Sequence, residues 1–443
     1  MIRLHLRNRA RAVALVAASA AILAFNTASV PAAHSDPLFV NNPLVGMGSD
    51  TIQDVMNAFA GAAVVNSATN APQYYTGLTS SVATGARPVV SWDAVDPNVN
   101  NLTPGCINEP KPGFGPIARP NGSSDGQKAL SRAIDSGAWT KAGLACSFGT
   151  AMTGRIDFAR SSSGPPSAFP GTALTFVPFA GDGVSYAYVP PADNHFDISA
   201  LTTTQLQSLF GTGGVASTTG TITDGTDTIF ACMVQAGSGT GKFWDKAMGN
   251  AGDGATSLQS AVNSGCNAGT NGPYEENGYN SWSTSAFIAG LTASQGAVIP
   301  FSAGQWIAQN NGAGQDRSNL GRCLGTALTT DHLGMPNGVD PIGSGRCTAG
   351  THATQTPGAT FYDKTVSIFA RDLYVVIPTT NLTSVGGKAL RSVFVGSGSA
   401  VCSATAQTTL NTFGFQSLVG RASQPCGFTT ALPDGTLKSG LVS

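Results

Sequence analysis

The chain has 443 residues, of which 11% are charged, against about 25% in an average soluble protein. Its 23 basic and 24 acidic residues give no overall basic face for a nucleic acid, and 41% hydrophobic content is that of a globule, not a disordered tail. Its 55 glycines, with Ser and Thr in place of Glu, Lys and Leu, exclude a coiled coil.

In chain order, residues 1–35 read as a secretory signal. Arg3, Arg7, Arg9 and Arg11 precede the apolar run Val13 to Phe25, which is short for a bilayer span. Small residues follow, and Val30-Pro31-Ala32 or Ala33-His34-Ser35 places cleavage near residues 32–35. No cysteine offers a lipid attachment there, and no later segment reaches ~18 uninterrupted apolar residues. The expectation is an exported protein, secreted or held in the cell envelope and not membrane-spanning once the signal is removed. All four arginines lost carry charge, so the remainder has 19 basic and 24 acidic residues and a net charge of −5.

Beyond the signal, apolar runs alternate with helical periodicity. Strands are expected at Leu44–Met47, Arg155–Ala159, Leu174–Phe179, Val184–Val189, Ile229–Val234, Ala297–Phe301 and Leu373–Ile377. Ile52, Val55, Met56, Phe59 and Ala63 repeat at helix spacing. Asp50 with Gln53, Ser124 with Gln127 and Thr202 with Gln205 have the capping-box pattern. Strand-then-helix alternation indicates an α/β architecture. The Gly/Pro/Ser/Asn-rich stretches 96–126, 211–227, 250–280 and 310–360 read as long loops, unusual unless functional or tied down.

Eight cysteines in an exported chain point to disulfides. Closure is easiest between neighbours, so the expected pairs are Cys106–Cys146, Cys232–Cys266, Cys323–Cys347 and Cys402–Cys426. Each loop would be worth about 3–4 kcal/mol in the chain-entropy model. No CxxC pair exists and only His195, His332 and His352 follow His34, so no metal site and no cofactor are expected.

Three strands end in Ser/Thr/Gly turns: Gly48-Ser49-Asp50-Thr51, Arg160-Ser161-Ser162-Ser163-Gly164, and Gly237-Ser238-Gly239-Thr240-Gly241. The first N–H groups of a helix lack intrahelical partners and carry partial positive charge. Glycine lets backbone approach closely, and hydroxyls add donors. In open α/β sheets ligands sit beyond the carboxyl ends of strands, where all three turns lie. Alone, each turn is also an ordinary cap or packing turn. Together they suggest a site for a tetrahedral oxyanion, with Ser49, Asp50, Thr51, Arg160, Ser161, Ser162, Ser238, Gly239 and Thr240 as candidate ligand-binding residues. Arg160 is the main cationic candidate, with a surface salt bridge as its alternative; Lys242 is expected to face solvent. A nucleotide phosphate loop does not fit, because Ala236 and Phe243 stand where that motif needs Gly and Ser/Thr.

At these turns the sequence resembles the phosphate-binding (PstS-type) substrate-binding proteins of ABC uptake systems, especially their actinobacterial branch. The matching pieces are Gly48–Val55, Ile156–Ser162, Val177–Tyr186, Leu201–Phe210, Gln235–Thr240, Glu275–Gly278, Ile299–Gln305 and Leu373–Pro378. The resemblance implies a two-lobe type II periplasmic-binding-protein fold, with a ligand cleft between lobes and long loop insertions. It places the first lobe at 36–180, the second at 181–370 and a return segment at 371–443, with crossings near Phe179–Tyr186 and Arg371–Pro378. It implies capture of inorganic phosphate or a related oxyanion and an ABC-type permease as partner. It puts hydroxyl donors on Ser49 and Thr51 and a cradle on Ser238, Gly239 and Thr240. Two positions depart from the family pattern. Val234 stands where an arginine is usual, and Ser162 where an aspartate accepts the proton of hydrogen phosphate. Arg160 is then the candidate to replace the arginine, and Asp50, Asp182 or Glu275 the acid.

Two other readings compete with a transport protein. A secreted phosphatase-like hydrolase would need a nucleophile with a base or a metal cluster, and no Gly-x-Ser-x-Gly elbow is present. A surface protein that kept the scaffold without transport is the other, since fold does not fix function.

Overall fold

The computed structural model describes residue 36, residues 41–65, 72–81, 85–95, 105–141, 151–193, 195–213, 217–235, 237–250, 285–313, 332–347, 354–429 and 437–443, and Leu144, Cys146, Cys266, Trp282 and Ser283. The expected signal segment, Cys323, Glu275 and nearly all of the expected 250–280 loop lie outside these residues.

The chain is a mixed α/β protein built on one large sheet. Among the described residues ten strands form it: β1 (Leu44–Gly48), β2 (Val89–Ser91), β3 (Phe158–Ser161), β4 (Leu174–Val189), β5 (Thr221–Thr223), β6 (Thr228–Ala231), β7 (Gln295–Ser302), β8 (Ala370–Pro378), β9 (Gln416–Ser417) and β10 (Lys438–Ser439). Their order is β2-β1-β3-β8-β4-β7-β6-β5, with β9 and β10 pairing to β4 off this path. β1 runs parallel to β2 and β3, and β6 parallel to β7; β8 and β4 run antiparallel to their neighbours.

β4 joins the two halves of this sheet. Its residues Leu174–Gly183 pair with β8, and Val184–Val189 pair with β7. The strands are near-continuous apolar runs whose side chains point alternately to the two faces, as a sheet covered on both faces requires. Leu373, Val375 and Ile377 of β8 enter one core with Leu44, Val89 and Phe158; Tyr374 and Val376 enter the opposite core with Val45, Met47 and Val90. A third core surrounds the far half of β4, with Tyr186, Trp244, Trp282 and Trp306.

Helices cover the sheet: α1 (Gln53–Phe59), α2 (Ser123–Asp135), α3 (Thr203–Phe210), α4 (Gly239–Ala247), α5 (Ala286–Ala289), α6 (Ala303–Asn310), α7 (Lys388–Phe394) and α8 (Ala404–Thr412). No helix among the described residues is long and apolar enough to cross a membrane. Three expected disulfides are present, Cys106–Cys146, Cys232–Cys266 and Cys402–Cys426. Cys347 is also disulfide-bonded, and the expected pair with Cys323 lies partly outside the described residues.

Local expectations fail where tertiary contacts override short-range patterns. The strands expected at Leu174–Phe179 and Val184–Val189 are one, because β8 pairs through the break, Ala370–Leu373 against Gly183–Ala180. The helix expected to reach Ala63 stops at Phe59, and Ala63 starts a short strand paired with Pro72–Tyr74. The expected 96–126 loop contains the paired strands Cys106–Ile107 and Ile117–Ala118 and the start of α2. Of the three capping boxes only Thr202–Gln205 forms. Ser124 falls inside α2, whose N-cap is Gly122. α1 has Ile52 as its N-cap, without a side-chain cap, because the Asp50 carboxylate instead accepts from Gln235 Nε2 at 3.0 Å.

Candidate functional site

The site is assembled where parallel strands end. β1 ends at Gly48, β3 at Ser161, and β6 leads into the 237–241 turn. Ser238 caps α4 by accepting from the Gly241 N–H at 3.0 Å. The free N–H ends of such a helix favour a negative partner.

The three turns meet around Ser162. Its hydroxyl accepts from Ser49 Oγ at 3.0 Å and Thr51 Oγ1 at 3.1 Å, and lies 3.2 Å from Ser123 Oγ. Thr51 Oγ1 in turn lies 3.3 Å from Thr240 Oγ1. Five hydroxyls from distant segments therefore form one connected, fully buried group. Gly239 permits this approach, since a Cβ there would stand 2.2 Å from Ser162 Oγ and 2.3 Å from Ser123 Oγ. Contact between the turns continues in the backbone, where Ser124 N–H donates to Gly237 O at 3.2 Å.

Ser161 takes a different part. Its hydroxyl accepts from Gln127 Nε2 at 2.9 Å and donates to Ser163 O at 2.6 Å, so it shapes the turn. Arg160 also serves the scaffold. It is fully buried, so it is no surface salt bridge. Its Nε donates to Ser49 O at 3.0 Å, Nη1 to Ser91 Oγ at 2.6 Å and Nη2 to Gly48 O at 3.2 Å. The guanidinium thus fastens the first turn from behind. Burial pushes its pKa down to about 10, against the pull of Asp93, Asp50, Asp54 and Asp36.

The cation that reaches the hydroxyl group is Arg371, at the start of β8. Its Nη2 donates to Thr240 Oγ1 at 2.7 Å and its Nη1 to Ser162 O at 3.0 Å. Nε and Nη2 also donate to Asp182 Oδ2 at 2.9 and 2.7 Å. Asp182 further accepts from Ser302 Oγ and the Gly304 N–H, each at 3.0 Å. Burial raises the Asp182 carboxyl above its ordinary value, opposed by Arg371 and these donors. With both oxygens so engaged, Asp182 is the brace of Arg371.

Sequence reasoning missed Ser123 and Arg371. The first had a readable signal: Gly122-Ser123-Ser124 is a fourth Gly/Ser turn opening a helix, with Ser162 N–H donating to Ser123 Oγ at 2.9 Å. Arg371 had almost none beyond being a charge at the head of an apolar run. Asp50 is buried beside the group, bridged through Gln235, whose Nε2 also reaches Asn121 Oδ1 at 3.4 Å. Gln305 Nε2 donates to Thr51 O.

A cavity of about 700 Å³ adjoins the hydroxyl group and shares Ser162 and Arg371 with it. Lys242, Lys246, Lys364 and Phe243 also line it. Lys242, expected to face solvent, is half-buried and borders this cavity. The Arg371 guanidinium lies over the Phe243 ring, 5.8 Å from its centroid, and Lys364 Nζ is held by Asp372 Oδ2 at 2.8 Å.

The fold and site thus define a mixed α/β protein with a buried, hydroxyl-lined centre at its strand ends. No protein-family model matches the chain, and no curated protein matches it. Among solved structures, it is similar to an ABC-type phosphate transport receptor from Vibrio cholerae, at 13% identity over 84% of this chain and 98% of that one, with a TM-score of 0.39. A phosphate ABC transporter substrate-binding protein with bound phosphate from Clostridium perfringens is similar at 13% identity over 85% and 99%, TM-score 0.39. A phosphate binding protein from Stenotrophomonas maltophilia matches at 15% identity over 71% and 88%, TM-score 0.36.

Proposed function

We propose that this chain is an exported, non-catalytic binding protein for inorganic phosphate or a similar tetrahedral oxyanion, serving ABC-type uptake. The observation that carries this reading is the convergence of Ser49, Thr51, Ser123, Ser162 and Thr240 with one guanidinium, Arg371, at strand ends. Hydroxyls can turn from one another to an anion, and the charge-assisted bond from Arg371 would be the strongest of the set. Asp182 already balances Arg371, so the site would hold charge mainly with neutral dipoles.

Asp50 is our candidate acceptor for the proton of hydrogen phosphate. It is a buried carboxylate at the first turn, whereas Asp182 is committed to Arg371, Ser302 and Gly304. An acceptor of this kind would disfavour sulfate, which brings no proton to it. The two halves of the sheet would act as lobes, 36–180 with 371–443 against 181–370, closing on the ligand across β4 and β8. The basic cavity beside the site would be its approach.

Calorimetric titration of the exported form with phosphate and sulfate tests this. Phosphate binding with little response to sulfate is expected; silence toward both overturns the reading. A surface protein that kept only the scaffold would show that silence. The hydrolase reading finds less support, because His332 stacks on Tyr188 and His195 lies beside Asp193 and Asp227, away from the hydroxyl group.

A further inference from the structure

At the other end of the β6–β7 strand pair, three side chains meet that the anion site does not use. Asp193 and His195 lie in the segment after β4, and Asp227 immediately precedes β6. His195 Nδ1 lies 3.5 Å from Asp193 Oδ1 and 4.0 Å from Asp227 Oδ1. The three potential ligand atoms all fall within 4.8 Å of one another.

Asp227 adds an independent observation. Its side chain is 0% exposed. One carboxylate oxygen, Oδ2, accepts from the Phe196 N–H at 2.8 Å. The other, Oδ1, is buried without a hydrogen-bond partner among the described residues, and it is the atom that faces His195. A buried carboxylate oxygen left so is costly, and a cation between the three side chains would satisfy it.

The backbone around the group is fixed before any ion arrives. Asp224 Oδ1 accepts from the Thr226 and Asp227 N–H groups at 2.9 and 2.8 Å, which sets the turn presenting Asp227. Asp193 N–H donates to Ala293 O at 3.1 Å, tying its segment to the entry of β7.

We propose that Asp193, His195 and Asp227 form a binding site for a divalent transition-metal ion of the zinc type. One imidazole nitrogen with two carboxylate oxygens suits such ions, which take N and O ligands at about 2.0–2.2 Å. Tetrahedral ligands at ~2.1 Å sit ~3.4 Å apart, so the more widely spaced side chains must draw in by up to about 1 Å. Calcium and magnesium prefer all-oxygen sets. His195 and Asp193 are 62% and 28% exposed at their side chains, so the remaining coordination position would face water. The ion would pin Asp193 and His195 to the turn before β6.

The test is calorimetric titration of tag-free, chelator-stripped protein with zinc chloride, and separately with magnesium chloride. A zinc site of unit stoichiometry is expected, absent in His195→Ala and at least tenfold weaker in Asp227→Asn, with magnesium at least a hundredfold weaker. His332→Ala should keep it. His195 is exposed, so its variant should fold, and far-ultraviolet circular dichroism checks the Asp227 variant. No zinc binding to the parent, or unchanged affinity in His195→Ala, overturns the proposal.

Discussion

Two buried arginines, Arg160 and Arg371, stand in opposite relations to the hydroxyl group. Arg160 sits next to the triple serine in sequence, yet its guanidinium is spent on the carbonyls of Gly48 and Ser49 and on Ser91 Oγ. Arg371 is more than two hundred residues from Ser162, yet it touches Ser162 O and Thr240 Oγ1 and is braced by Asp182. Sequence adjacency to a polar turn therefore says little about which cation faces it. What decides is which neighbouring hydroxyls, carbonyls or carboxylates claim its donors.

Substitutions can sharpen or break this contrast. Arg371→Met should have the largest effect, abolishing phosphate binding in calorimetry. It should also destabilise the fold by about 3–5 kcal/mol, because Asp182 is left as an unpaired buried charge. Arg371→Met that still binds as tightly as the parent would refute its placement in the site. Arg160→Met should cost about 2–3 kcal/mol in urea unfolding, from buried acceptors losing a charged donor, while changing phosphate affinity less than tenfold in the folded protein. A total loss of binding with an intact fold would return Arg160 to the site.

Smaller effects test the turns themselves. Asp50→Asn should weaken phosphate roughly tenfold, about 1.4 kcal/mol, and narrow its margin over sulfate. Unchanged selectivity would remove Asp50 as the proton acceptor. Thr202→Ala breaks the one capping box that formed and should cost about 1 kcal/mol in thermal unfolding. It lies away from both arginines, so phosphate affinity should not move; a change there would mean the comparison is reading general stability.

Much of the architecture was legible because it rests on local regularities. The alternation of strand and helix, the apolar runs at Leu44–Met47 and Leu373–Ile377, and the Thr202 cap are set by neighbours within a few residues. The split expected at Gly181–Gly183 failed because β8, far along the chain, pairs with these residues. The capping boxes at Asp50 and Ser124 failed because Gln235 claims the first and α2 starts before the second.

By itself the sequence determined the α/β class, three neighbouring disulfides and the polar turns at strand ends, since each follows from short-range spacing, loop closure or strand punctuation. Only the tertiary structure decided how these parts are used. It brought Ser123 to Ser162, set Arg371 against Thr240, and gathered Asp193, His195 and Asp227 into one group. The physical reason is range. These contacts join segments tens to hundreds of residues apart, and their partners are fixed by strand order and burial, which no local pattern encodes.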